Sequence, residues 1–245
     1  MEMLKGLPDE LRRAWLDGDW DVYYGQYFAS WRYDVHVCEP FKIPSHWYKY
    51  RGIDYGFKAP FAVTWLAVSP EKDVYMYRDY YVSELELSGH IDAINAMSEG
   101  EEYRGTLGDP SMWIRNPQSM NRSDGVAGSH MAIADILRKG GINCIKANNN
   151  RLNGWNLLRE YLKWDDANPP KFHVFKTCRK FIETLPMLVH DIRRPEDLDT
   201  KGPDHLADST RYALMSIGNP EEEDTKPWIT KLMQRFEMQK TDTPG

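Results

Sequence analysis

The 245-residue chain has no apolar run long enough to cross a membrane and no charged-then-apolar start of the kind that marks a signal peptide. It has only three cysteines, Cys38, Cys144 and Cys178, whose spacing matches neither a metal site nor a redox pair. It also lacks the Gly-x-x-x-x-Gly-Lys-Ser/Thr loop that holds nucleotide phosphates in many ATPases. These absences argue against a membrane protein, a disulfide scaffold and a phosphate-loop ATPase. They predict reduced thiols in an intracellular protein that is not secreted.

The composition, 41% hydrophobic and 28% charged, predicts one soluble globular domain with an appendage. The net charge of -6 disfavours a nucleic-acid binder, but the charge is unevenly distributed. Residues 138–180 hold ten Lys or Arg against three Asp or Glu, whereas residues 221–224 are all acidic. Such asymmetry is compatible with a local DNA-binding face on an acidic body, and equally with an ordinary solvated surface.

The pattern of residues divides the chain into three parts. Residues 1–45, with crowded aromatics and punctuating prolines, predict a connector that packs on a domain. From residue 46 onwards, β-branched and aromatic runs at 50–55, 61–68 and 74–82 predict three strands in an antiparallel meander.

After the meander, the apolar period lengthens and helices alternate with strands. This order is expected of a ribonuclease H-like α/β domain over residues 46–218, with a central mixed sheet flanked by helices. Residues 219–245 are charged and offer little periodic apolar surface, which predicts a tail. The predicted helices lie near 91–97, 133–137, 152–164, 178–188 and 204–217, and the predicted strands lie at 103–107, 142–147 and 172–175.

Three aspartates, Asp54, Asp109 and Asp208, are poorly explained by folding alone. The first two end or interrupt apolar strand-like runs, and the third lies early in a helix-like run. A fold that joins these elements builds an acidic cluster. Because neighbouring acids repel one another without a cation, and hard divalent cations prefer oxygen ligands, the pattern predicts Mg²⁺ or Mn²⁺ chemistry on a phosphate.

Each acid also has an ordinary structural explanation. Asp54 lies between two glycines, which suits a turn as well as a strand that a metal-bound phosphate approaches closely. Asp109 precedes a proline, as turn aspartates often do. The helix macrodipole explains an acid at Asp204 better than one a turn later at Asp208. His205 is interpreted either as a core or capping histidine or as a group at a metal site.

Three motifs together resemble the nuclease domain of the large terminase subunit of tailed bacteriophages. They are Gly-Ile-Asp-Tyr-Gly at 52–56, Gly-Asp-Pro-Ser at 108–111 and Asp-His-Leu-Ala-Asp-Ser-Thr-Arg-Tyr at 204–212. The Asp-Gly-Asp-Trp run at 17–20 looks like the segment that leads from the terminase motor domain into the nuclease. The resemblance extends from about residue 7 to residue 216.

The resemblance implies a ribonuclease H-like fold and two-metal cleavage of double-stranded DNA. Asp54, Asp109 and Asp208 are then the catalytic metal ligands, with His205 as a further candidate ligand and Asp204 as a weaker one. It implies Mg²⁺ or Mn²⁺ as cofactor, with two ions. Its expected partners are double-stranded DNA, the terminase ATPase domain, the small terminase subunit and the portal protein, with no membrane. Its expected location is the host cytoplasm, at the procapsid.

Without a phosphate loop, the chain is expected to contain no ATP site and to be a nuclease fragment of a larger polypeptide, with residues 1–45 following an N-terminal ATPase domain. Basic side chains are expected to position the DNA backbone without reading its sequence. The candidates for this role are Arg115, Arg122, Lys146 and Arg151. The loop at 148–151 is either a DNA contact or a polar turn in which an asparagine caps the next helix.

Three other functions compete with this interpretation. A junction resolvase or a transposase-like nuclease shares the acidic triad and acts on another form of DNA. A phosphotransferase of the actin or sugar-kinase type also begins with an aspartate between glycines, although this chain is short for its two halves. The third is an inactive module that docks onto a partner through the aromatic-rich start.

Overall fold

The computed structural model describes residues 25–56, 59–114 and 131–218, and the folding of this part of the chain produces a mixed sheet covered by helices. Its strands are β1 Val37–Cys38, β2 Tyr48–Asp54, β3 Phe61–Val68, β4 Val74–Val82, β5 Gly105–Gly108, β6 Ile145–Lys146 and β7 Phe172–Phe175. Its α-helices are α1 Tyr33–His36, α2 Leu87–Met97, α3 Ile133–Lys139, α4 Arg151–Leu162, α5 Arg179–Thr184 and α6 His205–Ile217, with 3-10 turns at Pro110–Trp113 and Leu185–Met187.

The predicted antiparallel meander is confirmed. β2 pairs with β3, and β3 pairs with β4, both antiparallel. β3 and β4 have the predicted bounds, while β2 begins at Tyr48 and ends at Asp54, so Tyr55 lies outside it. The polar link before β4 turns tightly at Lys72, whose φ is 70°.

Parallel strands extend the meander on both sides. The strand order is β1-β7-β4-β3-β2-β5-β6. β5 pairs with β2 in parallel, and β7 pairs with β4 in parallel. Ile53 of β2 lies opposite Gly108 of β5, so the carboxyl ends of these strands meet at one edge of the sheet. The mixed sheet with flanking helices confirms the predicted fold class.

Helix α6 is buried on nearly every side because it lies between the sheet and α4. The predicted apolar stripe is buried, and so are Ser209, Arg211 and Tyr212. A Cβ at Gly52 would lie 1.7 Å from the Ser209 carbonyl oxygen. The interpretation of Gly52 as space for a phosphate is therefore replaced: on β2, this glycine lets α6 approach the strand.

The opposite face of the sheet carries α2. Side chains alternate along a strand, so Arg51 and Trp65 point away from α6. Both donate hydrogen bonds to the Ser98 hydroxyl just after α2, from Arg51 Nη1 at 2.9 Å and from Trp65 Nε1 at 3.1 Å. Helices thus cover both faces, which buries the central strands almost completely.

Two elements differ from their predicted lengths. The strand predicted at 142–147 covers only Ile145–Lys146, at the edge of the sheet. The helix predicted at 178–188 divides into α5 and the 3-10 turn Leu185–Met187, because Pro186 cannot continue the hydrogen bonding of an α-helix.

The aromatic start packs on the domain in the part that the structure describes. Tyr27, Phe28 and Trp31 are buried, and the Tyr27 amide donates to the Leu188 carbonyl at 2.7 Å. Residues 1–24 and the tail at 219–245 lie outside the described residues, so the predicted connector and tail boundaries stay predictions. Within the described ranges, no helix is both long enough and apolar enough to cross a membrane.

Candidate active site

Three structural elements bring the predicted acids to one edge of the sheet. Asp54 is the last residue of β2, Asp109 directly follows the neighbouring β5, and Asp208 lies in the first turn of α6. Asp54 and Asp208 are only 9% and 7% exposed. Burial raises the pKa of Asp54, and the negative charges of Asp208 and Asp109 raise it further. The structure therefore gathers the three predicted acids into a single electrostatic cluster.

His205 is bonded to the first of these acids. Its Nδ1 lies 2.8 Å from Asp54 Oδ2. This hydrogen bond raises the pKa of His205 above its ordinary value, although burial opposes the shift. The same bond moderates the increase in the Asp54 pKa. His205 thus fixes the orientation of the Asp54 carboxylate.

Asp109 has both a turn role and a link to the acidic cluster. Its Oδ1 accepts from the Ser111 amide at 2.5 Å, which caps the 3-10 turn and agrees with the turn explanation. Its Oδ2 accepts from the Tyr212 hydroxyl at 2.6 Å. Burial raises the pKa of Tyr212, so the phenol stays protonated and donates. Helix α6 thereby orients an acid that comes from β5.

Asp208 lies between two guanidinium groups. Arg211 Nε is 2.5 Å from Asp208 Oδ1, and Arg151 Nη1 is 3.6 Å from Asp208 Oδ2. Arg211 is 1% exposed, and its Nη2 donates to Asn149 Oδ1 at 3.2 Å. Its guanidinium carbon lies 5.0 Å from the Trp155 ring centroid. These contacts hold Arg211 firmly against Asp208.

Arg151, predicted as a DNA contact, lies inside the acidic cluster. It is the first residue of α4, and its Nε donates to Asp197 Oδ1 at 3.1 Å. Its Nη2 donates to Asp204 Oδ2 at 3.4 Å. Together with the contact to Asp208, these bonds direct the guanidinium toward three protein carboxylates.

Asp204 is a buried acid of this cluster, although it was the weaker candidate. Burial and the nearby charge of Asp208 raise its pKa to about 6, while His205 and Arg151 act in the opposite direction. Its backbone carbonyl accepts from the Asp208 amide at 2.8 Å, at the start of α6.

Asp197 was missed by the sequence analysis because it lies in an aperiodic polar loop. It is buried, and its Oδ1 also accepts from Trp155 Nε1 at 3.1 Å and from the Leu198 amide at 2.8 Å. Burial alone would raise the pKa of Asp197, but the bonds from Leu198 and Arg151 lower it. Arg211 and Tyr212 were also assigned no role, although their positions three and four residues after Asp208 place them one helical turn away.

The remaining basic candidates are separated by the structure. Lys146 is exposed on β6, opposite Gly108 and thus beside the strand end that carries Asp109. Arg115 and Arg122 lie outside the described residues. In the 148–151 loop the capping explanation is confirmed, because Asn150 Oδ1 accepts from the Asn153 amide at 3.2 Å.

The acids suit a hard divalent cation by donor type and by position. Within 25–56, 59–114 and 131–218, however, no three His, Cys, Asp or Glu side chains are grouped as ligands of one ion. Their oxygens are instead bonded to protein donors, from His205, Tyr212 and the two arginines. A metal ion that binds here has to replace some of these donors.

No protein-family model and no curated protein matches this sequence. Solved structures do match the fold. The nuclease domain of the bacteriophage P22 large terminase aligns with a TM-score of 0.62 and 20% identity, over 80% of this chain and 93% of that one. The large terminase of a thermophilic bacteriophage, in complex with ADP, gives 0.61 and 20% over 77% of this chain. The large terminase nuclease of another thermophilic phage, G20c, gives 0.52 and 12%, over 78% of this chain and 98% of that one.

The extent of these matches is as informative as their scores. This chain spans 44% of the ADP-bound large terminase, whereas it spans nearly all of the separate P22 and G20c nuclease domains. Sequence identities of 20% or less mean that the likeness is one of fold. This chain has the fold of the nuclease domain of bacteriophage large terminases.

Proposed function

We propose that this chain is the metal-dependent endonuclease of a bacteriophage large terminase, and that it cleaves double-stranded DNA during genome packaging. The observation that carries the proposal is the meeting of Asp54, Asp109 and Asp208 at one edge of a ribonuclease H-like sheet. These acids come from positions up to 154 residues apart in the sequence, and the fold concentrates them where two parallel strands end. The likeness to terminase nuclease domains supports the same assignment through the fold.

Asp54, Asp109 and Asp208 would hold two Mg²⁺ or Mn²⁺ ions, with His205 and Asp204 beside them. When bound, two such ions lower the pKa of a water molecule and stabilise the attacking and leaving oxygens of a phosphodiester. The chain's own groups orient the carboxylates. The imidazole Nδ1 of His205 fixes Asp54, and the hydroxyl of Tyr212 fixes Asp109.

DNA would approach along the edge that carries Asp109. Lys146 is exposed beside that edge and suits a contact with a backbone phosphate. The formal charge of -6 opposes a polyanion, so the chain by itself should bind DNA weakly. In an infected cell, the proposed partners are the terminase ATPase domain, the small subunit and the portal protein, in the host cytoplasm at the procapsid.

The decisive test is to incubate the purified chain with supercoiled plasmid and Mg²⁺, Mn²⁺ or EDTA. We expect nicked and linear products with either metal, none with EDTA, and no effect of added ATP. ATP hydrolysis above a metal-only control would favour a phosphotransferase instead. Preference for a four-way junction over linear duplex would favour a resolvase.

The variant Asp54→Asn tests the acidic cluster within the same assay. We expect it to abolish cleavage, because it removes a ligand charge while its amide oxygen still accepts from His205. Asp92→Asn is the matched control, since Asp92 is exposed on α2. Full activity of Asp54→Asn, with circular dichroism showing an intact fold, would contradict the proposed site.

A further inference from the structure

Arg151 occupies a position that is unfavourable for a cation by itself. It is the first residue of α4, where the helix macrodipole is positive and disfavours positive charge. Three buried carboxylates compensate, with contacts of 3.1 Å to Asp197, 3.4 Å to Asp204 and 3.6 Å to Asp208. The acids therefore explain why an arginine is stable at this position.

The two arginines beside Asp208 are not equally fixed. The Arg211 side chain is 2% exposed and 2.5 Å from the carboxylate, whereas that of Arg151 is 26% exposed and 3.6 Å away. Arg211 is further held by Asn149 and by the Trp155 ring. Of the two contacts, the longer and more exposed one to Arg151 is the easier to break.

Asp197 gives Arg151 a second place to rest its charge. The Asp197 contact is made through Nε, close to the side-chain stem, and Asp197 is itself held by Trp155 and the Leu198 amide. Rotation of the outer guanidinium can therefore release Asp208 Oδ2 without breaking the bond to Asp197. The side chain is anchored at one end and displaceable at the other.

We infer that Arg151 is an internal counter-cation that neutralises Asp208 in the metal-free protein and is displaced from it when a divalent ion binds. The inference rests on the proposed function, because it concerns the same acids. It also explains why the acids are bonded to protein donors in a metal-free arrangement. Its consequence is that Arg151 weakens metal binding, so this residue sets the metal concentration at which the site fills.

The test is calorimetric titration of the folded chain with Mn²⁺, without DNA. Because it removes a like charge next to the ion, Arg151→Gln should tighten Mn²⁺ binding by roughly threefold to tenfold. Asp197→Asn should have the opposite effect, since its amide oxygen still accepts the same bonds while Arg151 loses an alternative anion. Arg138→Gln is the control: it removes the same charge from an exposed side chain of α3, and its Mn²⁺ affinity should equal that of the wild type.

Thermal unfolding supplies a second readout. In EDTA, Arg151→Gln should melt below the wild type, because Asp197, Asp204 and Asp208 lose their shared cation. Mn²⁺ should then raise its melting temperature by more than it raises that of the wild type.

Each outcome decides the inference. Equal or weaker Mn²⁺ binding by folded Arg151→Gln, or tighter binding by Asp197→Asn, would overturn it and leave the proposed nuclease standing. No Mn²⁺ binding by the wild-type chain would overturn both. If Arg151→Gln does not fold, the direction of the change in Asp197→Asn decides alone.

Discussion

At the residue scale, one hydrogen bond links α6 to an acid of another element, and Tyr212→Phe removes it. The change deletes the donor to Asp109 Oδ2 while keeping the buried ring. We expect cleavage to fall about tenfold, because Asp109 loses its fixed orientation, while stability falls by about 1 kcal/mol. Plasmid cleavage rates and urea unfolding measure the two effects. Tyr80→Phe is the matched control, since it deletes a 2.8 Å bond to His90 elsewhere. An equal loss of cleavage in both variants would point to a general loss of stability.

The sequence indicated the acids of the site better than their partners. Asp54, Asp109 and Asp208 stand out because each is a charge placed where an apolar element ends or begins. Arg151 looked like a surface cation, since the carboxylates that surround it follow it by 46 to 57 residues in the chain. Asp197 had no periodic pattern to distinguish it from solvated loop residues. Such contacts depend on tertiary structure, which residue types and local spacing do not encode.

At the element scale, the packing of α6 on β2 depends on a missing side chain. Gly52→Ala would place a Cβ 1.7 Å from a backbone carbonyl oxygen of α6, which cannot rotate away as a side chain can. We expect a loss of about 3 kcal/mol in the free energy of unfolding, or no folding. Urea denaturation measures the loss. Gly202→Ala is the control, since its Cβ would meet nothing nearer than 3.5 Å, and it should cost less than about 1 kcal/mol. Equal losses would show that α6 shifts easily.

Strands in the middle of the sheet were predicted more accurately than elements at its margins. β3, β4 and β7 have their predicted bounds, because each is a compact run of β-branched or aromatic residues. β6 pairs with β5 over only two residues, and no local pattern announces where such pairing stops. The parallel pairing of β7 with β4 brings together segments about 90 residues apart in the sequence, so local periodicity did not predict it.

At the scale of the whole molecule, a protein with a net charge of -6 is proposed to bind a polyanion. Binding should therefore be weak, tolerant of sequence and steeply dependent on salt. Lys146→Gln should reduce the slope of log affinity against log salt by about 0.9, the value of one phosphate contact. Lys42→Gln is the control, an exposed lysine next to Phe41, whose ring packs on β7 far across the sheet from β6. Fluorescence anisotropy of labelled duplex at several salt concentrations gives the slopes. An unchanged slope for Lys146→Gln would remove this residue from the DNA contact face.

The acid cluster is built from distant parts of the chain, and this distance has a consequence for biosynthesis. Asp54 is made early, on a strand whose neighbour β5 follows it by about 50 residues, whereas Asp204, His205 and Asp208 are made only with α6. A ribosome-bound chain that lacks α6 has a bare face on its central strands and half of the acids. Synthesis itself therefore acts as a timer, since a growing chain cannot cut DNA until its last described helix has emerged and docked over Gly52.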